Sequence, residues 1–477
     1  MIQRLSRLTP LLPGVLGVVT AGLFFRLLAT PLYDPDLWWH LAAGREMVTR
    51  HVFLRQDIFS HTLLGARWVN FEWLSQILMF LLYKGGGFPA LFYAKVFLGF
   101  TAVLGVVVCC RQRSARGPWL VLISWLAFGL LRPRLLERPE LATLNFLPVF
   151  VFLLTSARSC PSAKLRRLSW ILFALMVLWC NLHGGFVYGL GVTALFALGA
   201  RWDKEPAEFV RFLDRTLGLL LIAGLVNPNG ARLVTVFADH LIQLSHRGSV
   251  IQEWASPSVQ DLPLFWALFL AGSAWLAVGL LQRKQGTRFW APAVAAFACW
   301  GALSYRNAAL FGFVALPFLS EIFAFEKNRK INFLGWLLCL VPLLLHAPVF
   351  RRPFPKDWVA WNRFPVNACR FVEEKNIQGV MYNSYDYGGY IDWRLGPDRK
   401  VFMDGRYIFH PLIWEQALMN ESWLRDPNDP GWRNYLSKRG VNYAIVGRER
   451  FLGAMFPPSE WACVFEDDAA LVLTKRP

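Results

Sequence analysis

Over roughly the first 345 residues the chain alternates long apolar runs with short polar connectors. The runs are about 15–25 residues long, the length a helix needs to cross the hydrocarbon core of a bilayer. Lipid offers no partner to a backbone N–H or C=O, so such runs form helices that satisfy their own hydrogen bonds. The pattern predicts a polytopic α-helical membrane protein with about 11 transmembrane helices. One run is short: residues 72–83 (EWLSQILMFLLY) read as an interfacial or re-entrant helix. After about residue 350 the apolar runs stop. PVNACRFVEEK (365–375), HPLIWEQALM and GWRNYLSKRG carry helical spacing. GVMYNSY, KVFMDGR, VNYAIVG and ALVLTK are rich in β-branched and aromatic residues and read as strands. Alternating strands and helices predict an α/β domain. The expected division is a transmembrane bundle over 1–348, with a long first outer loop at 34–70, and a C-terminal soluble α/β domain over 349–477.

Composition supports the membrane reading: 55% of the 477 residues are hydrophobic and 17% charged, with a mean hydropathy of +0.36. A net charge of +18 would suit a nucleic-acid partner, but the cations concentrate in connectors at 111–117, 156–167, 201–215, 282–288 and 326–330. Cations there orient a membrane protein with those loops in the cytoplasm, and no nucleic acid is expected. Arg4 and Arg7 place the N-terminus on the same side, as a signal anchor with no convincing cleavage site before Asp34. Loops 34–70, 132–140, 181–185, 227–263 and 304–307 then face outward with the C-terminal domain. The expected location is a bacterial inner membrane. Eight cysteines show no CxxC spacing. Cys369 and Cys463 fall in the outward tail, where an oxidising compartment would permit a disulfide.

Candidate chemistry gathers in the outward loops. In LYDPDLWWHLAAGREM (32–47), Pro35 stiffens a bend flanked by Asp34 and Asp36. His40 follows Asp36 by one helical turn. Mg²⁺ or Mn²⁺ favours carboxylate oxygens, which makes Asp34 and Asp36 candidate ligands. The same acids equally suit a helix N-terminus as caps. Trp38 and Trp39 suit the membrane–water boundary. The loop also carries Asp57 and Glu72. LRPRLLERPE (131–140) gathers Arg132, Arg134 and Arg138 with Glu137 and Glu140, and guanidinium groups fork onto phosphate oxygens of a ligand or of lipid headgroups. NLHGGF sets His183 before two glycines that permit close backbone approach, and SYRN adds Arg306. Arg26 and Lys95 lie inside apolar runs, where a charge needs a partner. Under this topology the outer groups meet the headgroup of a lipid whose tail stays in the bilayer.

The segments YDPDLWWHLAAGREM, RQDIFSHT and GARWVNFEWL resemble the first outer loop of the GT-C fold glycosyltransferases, and the nearest pattern is the oligosaccharyltransferase catalytic subunit. There an Asp-Pro opens the loop and serves the metal and acceptor site, a role the resemblance implies for Asp34. NSYDYGGYIDWRLGPDRKVFMDGR (383–406) is similar to the family's Trp-Trp-Asp-Tyr-Gly stretch and the Asp beyond it. Asp386, Tyr387, Gly388 and Asp404 match, whereas Ser384 and Tyr385 stand at the two tryptophans. The resemblance implies an inverting hexosyl transfer from a polyprenyl-phosphate or -diphosphate sugar to a glycan, lipid or protein acceptor. Asp34 would act as base or metal ligand, supported by Asp36 and His40. Arg132, Arg134, Arg138 and Arg306 would hold the donor phosphate. Asp57, Glu72, His183, Asp386, Tyr387 and Asp404 would line the acceptor side. Rival readings are a polysaccharide polymerase or ligase of another fold, a non-catalytic envelope assembly protein, and a transporter, although no paired halves mark the last.

Overall fold

A computed structural model describes residues 12–113, 115–236, 238, 252–323, 329–448 and 450–476. Arg4, Arg7, residue 114, the centre of loop 227–263 and residues 326–328 lie outside them. In chain order the helices begin with α1 (Leu12–Leu28), α2 (Asp36–Arg50), α3 (Trp73–Gln112), α4 (Pro118–Leu131), α5 (Glu140–Ser156) and α6 (Ser162–Leu182). Next come α7 (Phe186–Trp202), α8 (Ala207–Ala223), α9 (Pro263–Leu281), α10 (Thr287–Leu303), α11 (Tyr305–Leu319) and α12 (Arg329–His346). The remainder holds α13 (Val366–Glu374), α14 (Tyr385–Arg394), α15 (His410–Arg425), α16 (Gly431–Lys438) and α17 (Leu452–Met455). Four strands accompany these: β1 (Val380–Asn383), β2 (Val441–Val446), β3 (Trp461–Glu466) and β4 (Leu471–Lys475).

The chain forms two compact units. One joins Met1–Thr30 to Phe92–Lys356, and the other joins Pro31–Leu91 to Asp357–Pro477. In the first unit, helices adjacent in sequence pack side by side across short turns, α7 on α8 and α10 on α11. Among the described residues five helical segments are long and apolar enough to cross a membrane: Trp73–Gln112, Glu140–Ser159, Ser162–Leu182, Pro263–Leu281 and Asn332–Arg351. The segment read as a short interfacial helix is the first limb of α3, a short helix joined to the second limb across a kink. The break falls later, at Gly87, whose φ of 64° is not helical, with Pro89 just beyond it. The basic stretch 201–215 is also mostly helix. Phe209, Phe212 and Leu213 repeat at helical spacing and are buried on α8, so its charges ride the opposite face.

The second unit carries a four-stranded mixed sheet in the order β1-β2-β4-β3. β1 runs parallel to β2, while β4 is antiparallel to β2 and to β3. Tyr382, Trp432, Tyr435, Ala444, Phe456 and Trp461 are among its core residues. A second core joins Trp39, Ala42, Ala43 and Met47 of α2 to Leu54, Phe59 and Trp68 of the following loop. The sequence missed α14 and β3, and KVFMDGR forms no strand. Side chains and loop carbonyls take its backbone donors instead. Phe402 N–H donates to Asn383 Oδ1 at 2.7 Å, Arg406 N–H to Asp404 Oδ1 at 2.8 Å, and Val401 N–H to Phe59 O at 2.9 Å. Among the described residues one bridge, Ser60 with Val401, is all the pairing it makes. Cys369 is buried, Cys463 is exposed, and both are free thiols.

Candidate active site

The second unit holds the Asp-Pro-Asp bend. Asp34 is only 1% exposed, and its Oδ1 accepts the Asp36 N–H at 2.9 Å. That N–H opens α2 and has no partner within the helix, so Asp34 caps it. Asp36 Oδ1 accepts the Trp39 indole N–H at 3.1 Å. His40 is buried beside the Trp39 ring. Trp38 is wholly buried and meets Phe364 and Tyr390 edge-on, so it serves a core and not a membrane boundary. A hard divalent cation takes six or more oxygen ligands. Here one acid caps a helix and the other holds an indole. Among the described residues no group of three His, Cys, Asp or Glu side chains is placed to hold a metal ion. Mg²⁺ keeps several waters and needs only one or two protein carboxylates, so Asp34 and Asp36 are the residues that would hold such an ion.

The DYGG segment meets this bend through bare backbone. α14 packs on α2. A Cβ on Gly388 would overlap Met403 O, and one on Gly389 would lie 2.8 Å from Pro35 O and 3.2 Å from Trp39 N. Asp386 is exposed, and the Tyr387 hydroxyl donates to Ala469 O. Asp404, packed against Gly388, and Asp57 are wholly buried around Arg406. Arg406 Nε lies 2.9 Å from both Asp404 oxygens, and Nη2 lies 2.6 Å from Asp404 Oδ2 and 2.7 Å from Asp57 Oδ1. Asp57 also accepts from the Phe59 and Ser60 N–H groups, each at 3.1 Å, and from Ser60 Oγ at 2.5 Å. With their oxygens engaged in this way, Asp57 and Asp404 are fastenings and do not line an open acceptor surface. Glu72 is half-buried immediately before α3.

The first unit holds the basic cluster. Arg134 is 3% exposed and pairs with Glu140 and, at 2.9 Å, with Glu253. Arg138 reaches Glu253 at 3.1 Å, and Arg306 Nε stands 3.9 Å from Glu140. Arg132 is exposed. Burial pushes the Glu253 carboxyl up, but Arg134, Arg138 and Arg306 outweigh it and hold the group at about 2. His183 follows α6. Thr143 Oγ1 lies 2.7 Å from its Nδ1, and the Gly185 N–H donates to the same atom at 3.0 Å. Because Trp179 Nε1 donates to Thr143 Oγ1 at 3.0 Å, the threonine hydroxyl is free to donate onward. Nδ1 is thus the acceptor of a neutral ring, and the ring proton sits on Nε2. The intramembrane charges are both structural: Lys95 bonds Thr30 O at 2.9 Å and pairs with Glu137 at 3.3 Å, and Arg26 holds Arg352 O at 2.7 Å.

Sequence reasoning named the arginines but missed Glu253, Asp392 and Arg406. Glu253 is one acid in a long loop, and no spacing ties it to residues more than a hundred positions earlier. Arg406 closes the DGR stretch that was read as a strand.

No protein-family profile matches the chain, and no curated protein matches it by sequence. Solved structures do. The archaeal oligosaccharyltransferase AglB from Archaeoglobus fulgidus, in complex with an inhibitory peptide and a dolichol-phosphate, is similar with a TM-score of 0.62 at 12% identity. That likeness covers 94% of this chain and 71% of AglB. ArnT from Cupriavidus metallidurans, bound to undecaprenyl phosphate, is similar with a TM-score of 0.54 at 12% identity, over 96% of this chain and 97% of ArnT. This is the GT-C fold. A structure of the Archaeoglobus fulgidus oligosaccharyltransferase with Zn and sulfate has it too, with a TM-score of 0.55 at 13% identity, over 91% of this chain and 68% of that one. A GT-C architecture sets aside the rival reading that required another fold.

Proposed function

We propose that this chain is an inverting hexosyltransferase of the membrane. It takes a sugar from a polyprenyl-phosphate or -diphosphate and passes it to a glycan, lipid or protein acceptor at the extracytoplasmic face. The observation that carries this reading is the likeness to ArnT along nearly the full length of both chains, in a structure bound to undecaprenyl phosphate. The Asp-Pro opening of the first outer loop and the DYG stretch of the tail, two short motifs far apart in sequence, support it.

In the proposed reaction the acceptor's O–H or N–H group attacks the anomeric carbon. The bond from that carbon to the phosphate oxygen breaks, and its electron pair leaves with the lipid phosphate. Asp34, with Asp36 beside it, takes the acceptor's proton. Arg132 and Arg306 meet the charge growing on the phosphate, since both are less committed to carboxylates than Arg134 and Arg138. His183, neutral and carrying its proton on Nε2, donates at the same stage. Asp386 and Tyr387 serve the acceptor. The shorter apolar helices, Gly14–Leu28 and Phe186–Trp202 among them, cross the membrane with the longer ones, for about 11 spans. The N-terminus is cytoplasmic and the second unit extracytoplasmic, in a bacterial inner membrane.

The test is transfer of radiolabelled sugar from an undecaprenyl-phosphate donor by the purified chain. Asp34→Asn is expected to abolish transfer while the protein still inserts and extracts as before. Full activity in that variant would overturn the assignment.

A further inference from the structure

The geometry points to Trp39 and Gly405 as positioning residues for the Asp36 carboxylate, an inference that rests on reading Asp34 and Asp36 as the acids of the proposed transfer. Asp36 Oδ1 is held from one side by the Trp39 indole N–H at 3.1 Å. On the other side lies the backbone of Gly405. A Cβ there would overlap Asp36 Oδ1 and stand 2.9 Å from Trp39 Nε1. Gly405 is not among the glycines with positive φ, so its backbone conformation is open to any residue. Space for the carboxylate is what demands glycine.

The wall that Gly405 forms is rigid for a reason visible in its neighbours. Asp404 and Arg406 are both buried and bonded to each other through four contacts of 2.6–2.9 Å. The guanidinium is bonded onward to Asp57 at 2.7 Å. It is enclosed by the rings of Phe59, Trp68 and Phe409, 4.8–5.3 Å away. Burying such charges adds little net stability, because desolvation offsets most of their attraction. What the ion triad does supply is one fixed path for residues 404–406. Gly389 braces the bend from a second direction, with its α-carbon facing Pro35 O and Trp39 N. Two tail glycines thus set where the loop's acids point.

The experiment measures sugar transfer by the full-length chain carrying Gly405→Ala, Trp39→Phe, Asp36→Ala and the pairwise combinations. Gly405→Ala adds one methyl and leaves every charge in place. It is expected to lower kcat about a hundredfold, the scale of an ångström-sized misplacement, with the KM for the undecaprenyl-phosphate sugar unchanged. Trp39→Phe keeps a ring in the core and removes only the N–H; it should show the same split, and it carries the test if Gly405→Ala fails to fold. In the Asp36→Ala background neither change should cost anything further, because residues acting through one group are not additive. Independent multiplication of the effects, or unchanged kcat in both variants while Asp34→Asn is dead, overturns the positioning role and leaves the transferase reading standing. Full transfer by Asp34→Asn overturns both.

Discussion

Asp392 lies on α14, wholly buried, and among the described residues no donor reaches either of its carboxyl oxygens. Burial, then the neighbouring Asp404, raise its pKa well above the ordinary carboxylate range against the pull of Arg406. The group is therefore held neutral and, protonated, is placed to donate to Asp404. A folded-state pKa above the unfolded one means that folding takes up a proton. The associated stability is complete below the unfolded value of 3.8 and is lost as pH rises through the folded one. Asp392→Asn supplies the same donor without needing a proton. It should raise the Tm by roughly 2–4 °C at pH 8 and by less at pH 5, as thermal unfolding in detergent would read; an equal gain at both pH values would refute the neutral acid. Nothing in YIDWRL announces this residue. Its state is decided by Asp57, Asp404 and Arg406, which one-dimensional spacing cannot place beside it. By contrast the bend that carries Asp34 and Asp36 was legible, because Pro35 and the helical run after it fix it locally.

At the scale of elements, α14 is ten residues long with two adjacent glycines, too weak in intrinsic propensity to be read from sequence. Its end is held from outside. Arg45 of α2 donates to Trp393 O at 2.8 Å and Gly396 O at 2.9 Å, and its guanidinium lies 4.9 Å from the centre of the Trp393 ring. Terminal carbonyls of a helix need such partners. Arg45→Ala should cost roughly 1.5–3 kcal/mol and raise amide hydrogen exchange across 385–396 before the sheet opens; exchange confined to the sheet would contradict this. Tertiary context also decided KVFMDGR, where the composition of a strand lost to side-chain bonds that occupy its donors. β1, β2 and β4 were legible because each carries enough β-branched and aromatic residues to bury a face, as Tyr382 of β1 and Val446 of β2 do. β3 alternates less cleanly, with Val464 exposed.

Over the whole molecule, the multi-spanning helical character followed from run length and charge placement, but the grouping of residues 31–91 with the tail did not. Hydropathy reports what a segment avoids, not which distant segment it joins. A chain ending after Lys356 would keep one compact unit and strip the other of its sheet and of Arg406. Its residues 31–91 should become cleavable by added protease in membranes, while 92–356 stays protected; protection of both would show that the loop folds alone. The divided unit also sets a timetable. Residues 92–356 must be made between its two parts, which takes on the order of tens of seconds at about 5–20 residues per second. Until translation reaches Arg406, Asp57 has no counter-ion and Asp36 no wall behind it. Residues 31–91 thus wait, already made, for the later segment that completes their compact unit.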